Sequence, residues 1–319
     1  MYTVRTVTDQ AECESVWRSA IPEESVWDLW EFRDCFQRQF QRPLLFLVAD
    51  GDQGTAGLLP LSWVQEAGCY GCFPGEAWEG HTWLEQNRLV ACDGGALTAL
   101  LANCPAAYHL RYLLPLESLP ETEHVVDEVG YLFLPPRYDY ELENYFQEFS
   151  HKSAKRVKKE LAAVESQGVE YCHDNFSAYD HLVRLNVGRF GERSYFADDR
   201  FTESFRDVAR LLEERDWLRF TTLRVGGEIA AVDMGCVYGG TYTLLAGGTH
   251  ADFPGVAKLI NLHHMRRACE ERFDQVDFLC GDFSWKKLFH LTPRPLYLLT
   301  NPPAVAGNEP HVECAPCPE

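Results

Sequence analysis

The chain has 319 residues, of which 46% are hydrophobic, 13% aromatic and 24% charged, so it is a folded protein with material for about two domains, and disorder is excluded for most of its length. Its 29 Lys and Arg stand against 48 Asp and Glu, a formal charge of −19 that argues against indiscriminate attraction to DNA or to an anionic membrane. The charge is unevenly spread: residues 1–150 hold eight Arg, no Lys and 24 acids, whereas residues 151–319 hold 21 basic and 24 acidic residues.

The first 20 residues contain Arg5, Asp9, Glu12, Glu14 and Arg18, which interrupt any apolar leader segment. No run of roughly 18 apolar residues occurs, so membrane insertion is not expected and a cytoplasmic protein is. The 12 cysteines are scattered through a large chain, many in apolar surroundings such as Cys236 and Cys280, and reduced thiols are the expectation.

In chain order, residues 24–40 are aromatic-rich and predict a helix that Pro43 stops. Residues 44–49 predict a strand, Asp50-Gly51-Asp52 a turn, and residues 55–64 the returning strand of a hairpin. Residues 68–80 read as an irregular glycine and aromatic loop, and Asp93-Gly94-Gly95 as the start of a helix. Pro115, Pro120, Pro135 and Pro136 punctuate the chain before residue 140, which places a domain boundary near 138, with a divergent domain over 1–138 and a second over 139–300.

The second half carries clearer periodicity. Val157, Leu161 and Val164 fall at i, i+4 and i+7, predicting an amphipathic helix over 150–167 with Lys152, Lys155, Arg156 and Lys159 on its polar side. Helices follow over 178–190 and 201–215, then three antiparallel strands joined at Gly226-Gly227 and Gly239-Gly240. Pro254-Gly255 opens a helix to about 272, with Val256, Leu259, Ile260 and His263 on one face. A strand over 275–280, a short helix over 283–289, a strand near 296–300 and a Pro-rich tail from 301 complete the chain. This order predicts an α+β domain whose third meander strand runs into a glycine-started helix, where backbone N–H groups bind anions.

Around that junction, Gly255 and Ala257 match the pyrophosphate loop of the GNAT acyltransferases, with Asp252 where those loops carry Arg or Gln. Downstream, Asp277, Phe278, Leu279, Gly281, Asp282 and Lys286 resemble the Asp-Phe-Leu-x-Gly-Asp-x-x-Tyr-Lys-x-x-Trp signature of the BioF/CelD-like branch of the GNAT superfamily, which is related to the FemAB peptidyltransferases. Trp285 stands for its Tyr and Phe289 for its Trp, and the resemblance covers roughly residues 140–292. It implies two tandem GNAT-like domains, each a mixed, mostly antiparallel sheet flanked by helices, with acyl-CoA as donor and no metal.

By that resemblance the donor would meet the backbone of residues 244–247, including Leu245 and Gly247, and its diphosphate would sit on Gly255, Val256, Ala257 and Lys258. Asp282 is the candidate base for deprotonating an amine, or alternatively an N-cap for the following helix. Lys286 is a candidate for holding a donor phosphate or an acceptor carboxylate, or a partner for Asp282 at i, i+4. Asp277 completes the catalytic set, and Trp285 and Arg156 join the acceptor set. Trp78, Glu79 and His81, with Trp83, are candidates for an acceptor pocket, or else core. His263-His264 is a candidate base, or else His263, on the apolar helix face, is a core histidine, and Cys280 is a candidate covalent acyl carrier, or else, in its apolar strand, an inert thiol. Cys69-x-x-Cys72 and Cys314-x-x-Cys317 are each half of a zinc pattern, far apart in the chain.

Three functions follow: transfer from acyl-CoA to an amine of a small molecule or peptide, a Fem-like transfer from aminoacyl-tRNA, or an inactive scaffold that binds a partner. The acidic first half favours a cationic or amine-bearing acceptor.

Overall fold

A computed structural model describes residues 2–115, 125–281 and 284–301. The chain divides into two compact units, Met1–Val129 with the segment from Pro295, and Gly130–Arg294. Candidate residue Asp282, and the pair Cys314 and Cys317, lie outside the described residues. No described helix is long and apolar enough to cross a membrane.

The first unit starts with β1 (Thr3–Val7), α1 (Gln10–Ala20) and α2 (Trp30–Phe40), and continues with β2 (Leu44–Gly51), β3 (Gly54–Val64), β4 (Cys69–Cys72) and the two-residue β5 (Val90–Ala91). Then come α3 (Gly94–Ala102), β6 (Tyr108–Leu113) and β7 (Val125–Phe133), the last carrying the chain into the second unit. Local chemistry fixes several of these ends. The Asp9 carboxylate caps α1 through the Glu12 N–H at 3.0 Å, and α2 stops at Gln41, which takes the left-handed conformation at φ 51°. Residues 69–72 were expected in a loop; they form β4 because Trp63 of β3 and Tyr70 pair across the strands with ring centroids 5.0 Å apart. Trp17, Trp30, Phe46 and Phe73 pack into one aromatic cluster, Trp30 stacking on Phe73 at 4.8 Å. Each such ring contributes roughly 1.5–3 kcal/mol by leaving water.

The second unit contains α4 (Leu142–Tyr145), α5 (His151–Glu165), β8 (Val169–His173), α6 (Tyr179–Phe190), α7 (Asp199–Glu214), β9 (Leu218–Val225), β10 (Glu228–Tyr238), β11 (Thr241–Thr249), α8 (Val256–Glu270), β12 (Gln275–Asp277) and α9 (Ser284–Leu288). A last strand, β13 (Thr292–Asn301), returns to the first unit. On α7, Phe201, Phe205, Val208 and Leu212 recur at helical spacing and all bury, which anchors it to the sheet.

Both units repeat one topology. In the first, β1, β2, β3 and β4 pair antiparallel in succession and β6 joins parallel after α3. In the second, β8, β9, β10 and β11 do the same and β12 joins parallel after α8. Each is closed by one more antiparallel strand, β13 beside β6 and the end of β7 beside β12. The expected mixed, mostly antiparallel sheets flanked by helices are present in both.

Candidate active site

The second unit opens a gap in its sheet at the place where the sequence pointed. β11 pairs with β12 only through Thr241↔Gln275, Tyr242↔Val276 and Thr243↔Asp277, while its ladder with β10 runs on to Thr249. Past Thr243 one edge of β11 is therefore without a strand neighbour, and the chain leads from there into α8. At its N-terminus Gly255 is left-handed, φ 88°, and no side chain caps the helix. A Cβ at Gly255 would lie 3.3 Å from Val164 Cγ2 of α5, so a bare backbone is favoured by both conformation and space. The Val256 N–H turns back to the Phe253 carbonyl at 3.3 Å, and the N–H groups of Ala257 and Lys258, which have no intrahelical acceptor, make this end electropositive.

Helix α5 flanks this end. Lys258 Nζ donates to Glu160 at 3.0 Å, and Glu160 is also 3.9 Å from the exposed Arg156. Among the described residues Lys152, Lys155 and Lys159 make no ion pair, and all three are exposed. Asp252 is exposed, its N–H bonded to His250 Nδ1 at 3.2 Å.

Leu245 is buried, so only its backbone is offered to a ligand. The Gly247 carbonyl is already engaged: Asn186 Nδ2 of α6 donates to it at 2.6 Å, and Ser194 Oγ donates to Asn186 Oδ1 at 2.6 Å. No sequence motif marked Asn186, although the Gly247-Gly248 pair within a strand signals a close backbone approach. A Cβ on Gly248 would sit 2.8 Å from the Leu182 carbonyl oxygen, and one on Gly247 would sit 2.5 Å from Asp233 Oδ1. Asp233, which no sequence motif marked, is in turn bonded to the buried His264 at 2.9 Å. His263, read as a core histidine, stacks on Tyr171 with centroids 3.9 Å apart and leaves its Nε2 without a hydrogen-bond partner.

At the end of β12 lies the downstream motif. Asp277 is buried and ion-paired to Arg294 at 3.0 Å, with Oδ1 also accepting from the Leu279 N–H at 3.0 Å. Lys286 is 2% exposed and donates to the carbonyls of Phe278, Leu279 and Cys280 at 2.9, 2.9 and 2.7 Å. Three donors meet three acceptors, so this ammonium shapes the turn that leads through Gly281. Leu279 holds a left-handed φ of 59° inside that turn. Trp285 is half-buried, edge-on to Phe278 at 5.5 Å.

In the first unit, Trp78 and His81 exchange backbone hydrogen bonds at 3.0 and 2.8 Å around a tight bend that presents Glu79. Glu79 and His81 line a cavity of about 380 Å³; Trp78 is not among its lining residues. No group of His, Cys, Asp and Glu among the described residues has the arrangement of a metal site.

The model of the acetyltransferase (GNAT) domain family matches residues 151–287. Similar folds span nearly the whole chain. FemX superposes with a TM-score of 0.57 at 10% identity, covering 93% of this chain and 96% of that one. The C-terminal domain of an Agrobacterium fabrum protein described as a lysylphosphatidylglycerol synthetase gives 0.56 at 12% identity, covering 93% and 94%. L-PGS from Bacillus licheniformis gives 0.55 at 9% identity, covering 91% of each chain. No curated protein matches the chain.

Proposed function

From the match of residues 151–287 to the acetyltransferase (GNAT) domain model, in a chain whose fold resembles that of FemX over 93% of its length, we propose that the protein is an N-acyltransferase using acyl-CoA to acylate an amine of a small molecule or peptide. The observation that carries the proposal is the uncapped N-terminus of α8 beside the open edge of β11.

The N–H groups of Ala257 and Lys258 would bind the donor diphosphate, joined by that of Val256 on release from the Phe253 carbonyl, with Gly255 letting it approach the backbone. The β11 edge beyond Thr243, Leu245 included, would hydrogen-bond the amide-bearing arm of the donor as a neighbouring strand would. Asn186 keeps the Gly247 carbonyl occupied and ties β11 to α6. In the transfer a base accepts one proton from the ammonium, the freed amine nitrogen forms a C–N bond to the thioester carbonyl carbon, the C–S bond breaks, and the leaving thiolate takes a second proton from the nitrogen to depart as thiol. Asp282 is assigned the first proton, a step typically worth ~10²–10⁴-fold in rate. Lys286 and Asp277 act as positioning residues, because Lys286 is bonded to three carbonyls of the turn before Gly281 and Asp277 is paired with Arg294. Arg156 and Trp285 are assigned to the acceptor side.

A second reading, with an aminoacyl group delivered on tRNA, draws support from exposed Lys152, Lys155 and Lys159 on α5. Calorimetry separates the two. CoA is expected to bind the wild-type protein at one per chain, and Ala257→Glu, which places a carboxylate in the helix end, is expected to abolish binding while leaving the fold intact. Asp282→Asn is expected to keep CoA binding and lose turnover across an amine panel. Binding of charged tRNA with no response to CoA would replace the first reading with the second, and absence of both would refute an acyltransferase.

A further inference from the structure

In the first unit the strand that corresponds to β11 is broken. β3 pairs with β4 from Val64↔Cys69 to Leu61↔Cys72, and then with β5 through Leu58↔Val90 and Gly57↔Ala91. β4 and β5 thus lie end to end on one edge, and residues 73–89 leave the sheet between them. Buried polar groups hold this excursion in shape. Arg33, 1% exposed, donates to the carbonyls of Trp27 and Phe73 at 2.6 Å each and to Asn87 Oδ1 at 2.7 Å. Glu76, 2% exposed, accepts from the N–H groups of Trp83 and Leu84 at 3.0 and 2.7 Å and from the Thr82 hydroxyl.

Both features that suit the second unit to an anionic donor are closed in the first. The backbone of Asn87 pairs with the chain at β6, N–H to the Tyr112 carbonyl at 2.8 Å and carbonyl from the Leu114 N–H at 2.9 Å, so the excursion bridges the gap in the sheet. The N-terminus of α3 carries its own carboxylate: Asp93 accepts from the Ala96 N–H at 2.8 Å and from the Tyr2 hydroxyl at 2.7 Å. The Tyr2 hydrogen bond also holds the Asp93 pKa below its usual value, so the carboxylate stays charged there.

What the closure leaves is the cavity of about 380 Å³, within the size range of small-molecule sites and lined mostly by apolar surface. Its charged lining is dominated by carboxylates: Glu66, Glu76 and Glu79. The guanidinium that lines it, Arg111, is committed to Asp127 at 3.0 and 2.9 Å, and Arg42 is committed to Glu66. Glu79, at the bend, makes no hydrogen bond or ion pair among the described residues, and the half-buried His81 ring lies beside it.

We infer that this cavity of the first unit binds a small apolar molecule bearing a protonated primary amine, the ammonium paired with Glu79 and the hydrocarbon lying along Val64, Ala67 and Ala77. Glu66 is matched by Arg42 and Glu76 by its three donors, so an anion would meet the carboxylate of Glu79 with no uncommitted guanidinium to offset it. The inference does not depend on the donor site, and its test reads binding alone. Titration calorimetry of the full chain with phenethylamine and with 3-phenylpropionate, ring compounds of opposite charge, is expected to give binding of the amine at one per chain and at least about tenfold weaker binding of the acid. Because Glu79 is exposed, Glu79→Gln is expected to weaken the amine only about two- to fivefold, and Glu79→Lys on the order of tenfold. Ala67→Trp, at an exposed lining position, is expected to block the cavity without loss of circular-dichroism signal. Equal affinity for acid and amine, no binding of either, or amine binding unchanged in both Glu79→Lys and Ala67→Trp would overturn it.

Discussion

Replacing Lys286 by Met keeps the hydrocarbon stem and deletes the ammonium, which tests whether this side chain serves the turn after β12. The wild-type ammonium makes three hydrogen bonds to carbonyls at 2.7–2.9 Å in a side chain only 2% exposed. A hydrogen bond to a charged group is worth about 1.5–3 kcal/mol. Against this stands the cost of burying an ammonium, several kcal/mol, which Met recovers. The Leu279 carbonyl keeps the Tyr131 N–H at 3.2 Å, so its loss is partial. The balance is a destabilisation of about 2–4 kcal/mol, to which relaxation of Leu279 from φ 59° responds by reshaping the turn. Urea unfolding gives the magnitude, and hydrogen exchange of peptides covering 275–290 gives the location. A loss below about 0.5 kcal/mol, or unchanged protection in those peptides, would refute the positioning role. Arg in place of Lys, longer and planar, is expected to rescue only part of the loss.

His263 supplies a pH test. Burial, reinforced by His264, His173, Arg267 and Arg266, lowers its pKa to about 3, whereas in the unfolded chain it is about 6.5. The unfolded state therefore binds the extra proton first, and stability present above pH ~6.5 drains as the pH falls from there toward about 3. His263→Phe, which preserves stacking on Tyr171, is expected to flatten thermal stability across that window; parallel pH profiles for the two proteins would sink the idea. Gly248→Ala forces a Cβ to within 2.8 Å of the Leu182 carbonyl oxygen and 3.0 Å of the Asn186 N. Since backbone must yield, a loss of ~1–3 kcal/mol is expected, together with weaker donor binding as the Asn186 bond to Gly247 is disturbed. A wild-type melting temperature would show that α6 does not hold β11 as described.

Much of the second unit was legible from local chemistry. Gly226-Gly227 and Gly239-Gly240 adopt the positive φ that tight hairpins demand, 57° and 88°, then 53° and 76°. The spacing of Val157 and Val164 predicts α5, and both bury. α8 begins directly after Gly255. β8 escaped notice because it is a five-residue edge strand in which only Val169 and Tyr171 turn to the core, too short an alternation to stand out. Lys286 could not be assigned from its position, since a lysine beside a glycine turn reads alike whether it faces a ligand or three carbonyls of its own chain.

By itself the sequence determined the hydrophobic periods, the turns, the glycine-started helix and the split of charge between the halves, because these depend on residues within a few positions of one another. The tertiary structure decided which helix end and which strand edge stay open. Asp93 is closed over by Tyr2, 91 positions away, and the sheet of the first unit is completed by β13 pairing with β6, contacts that burial and pairing select and no local pattern encodes. Two copies of one topology thus present different chemistry, an open helix end at Gly255 and a carboxylate-lined cavity at Glu79.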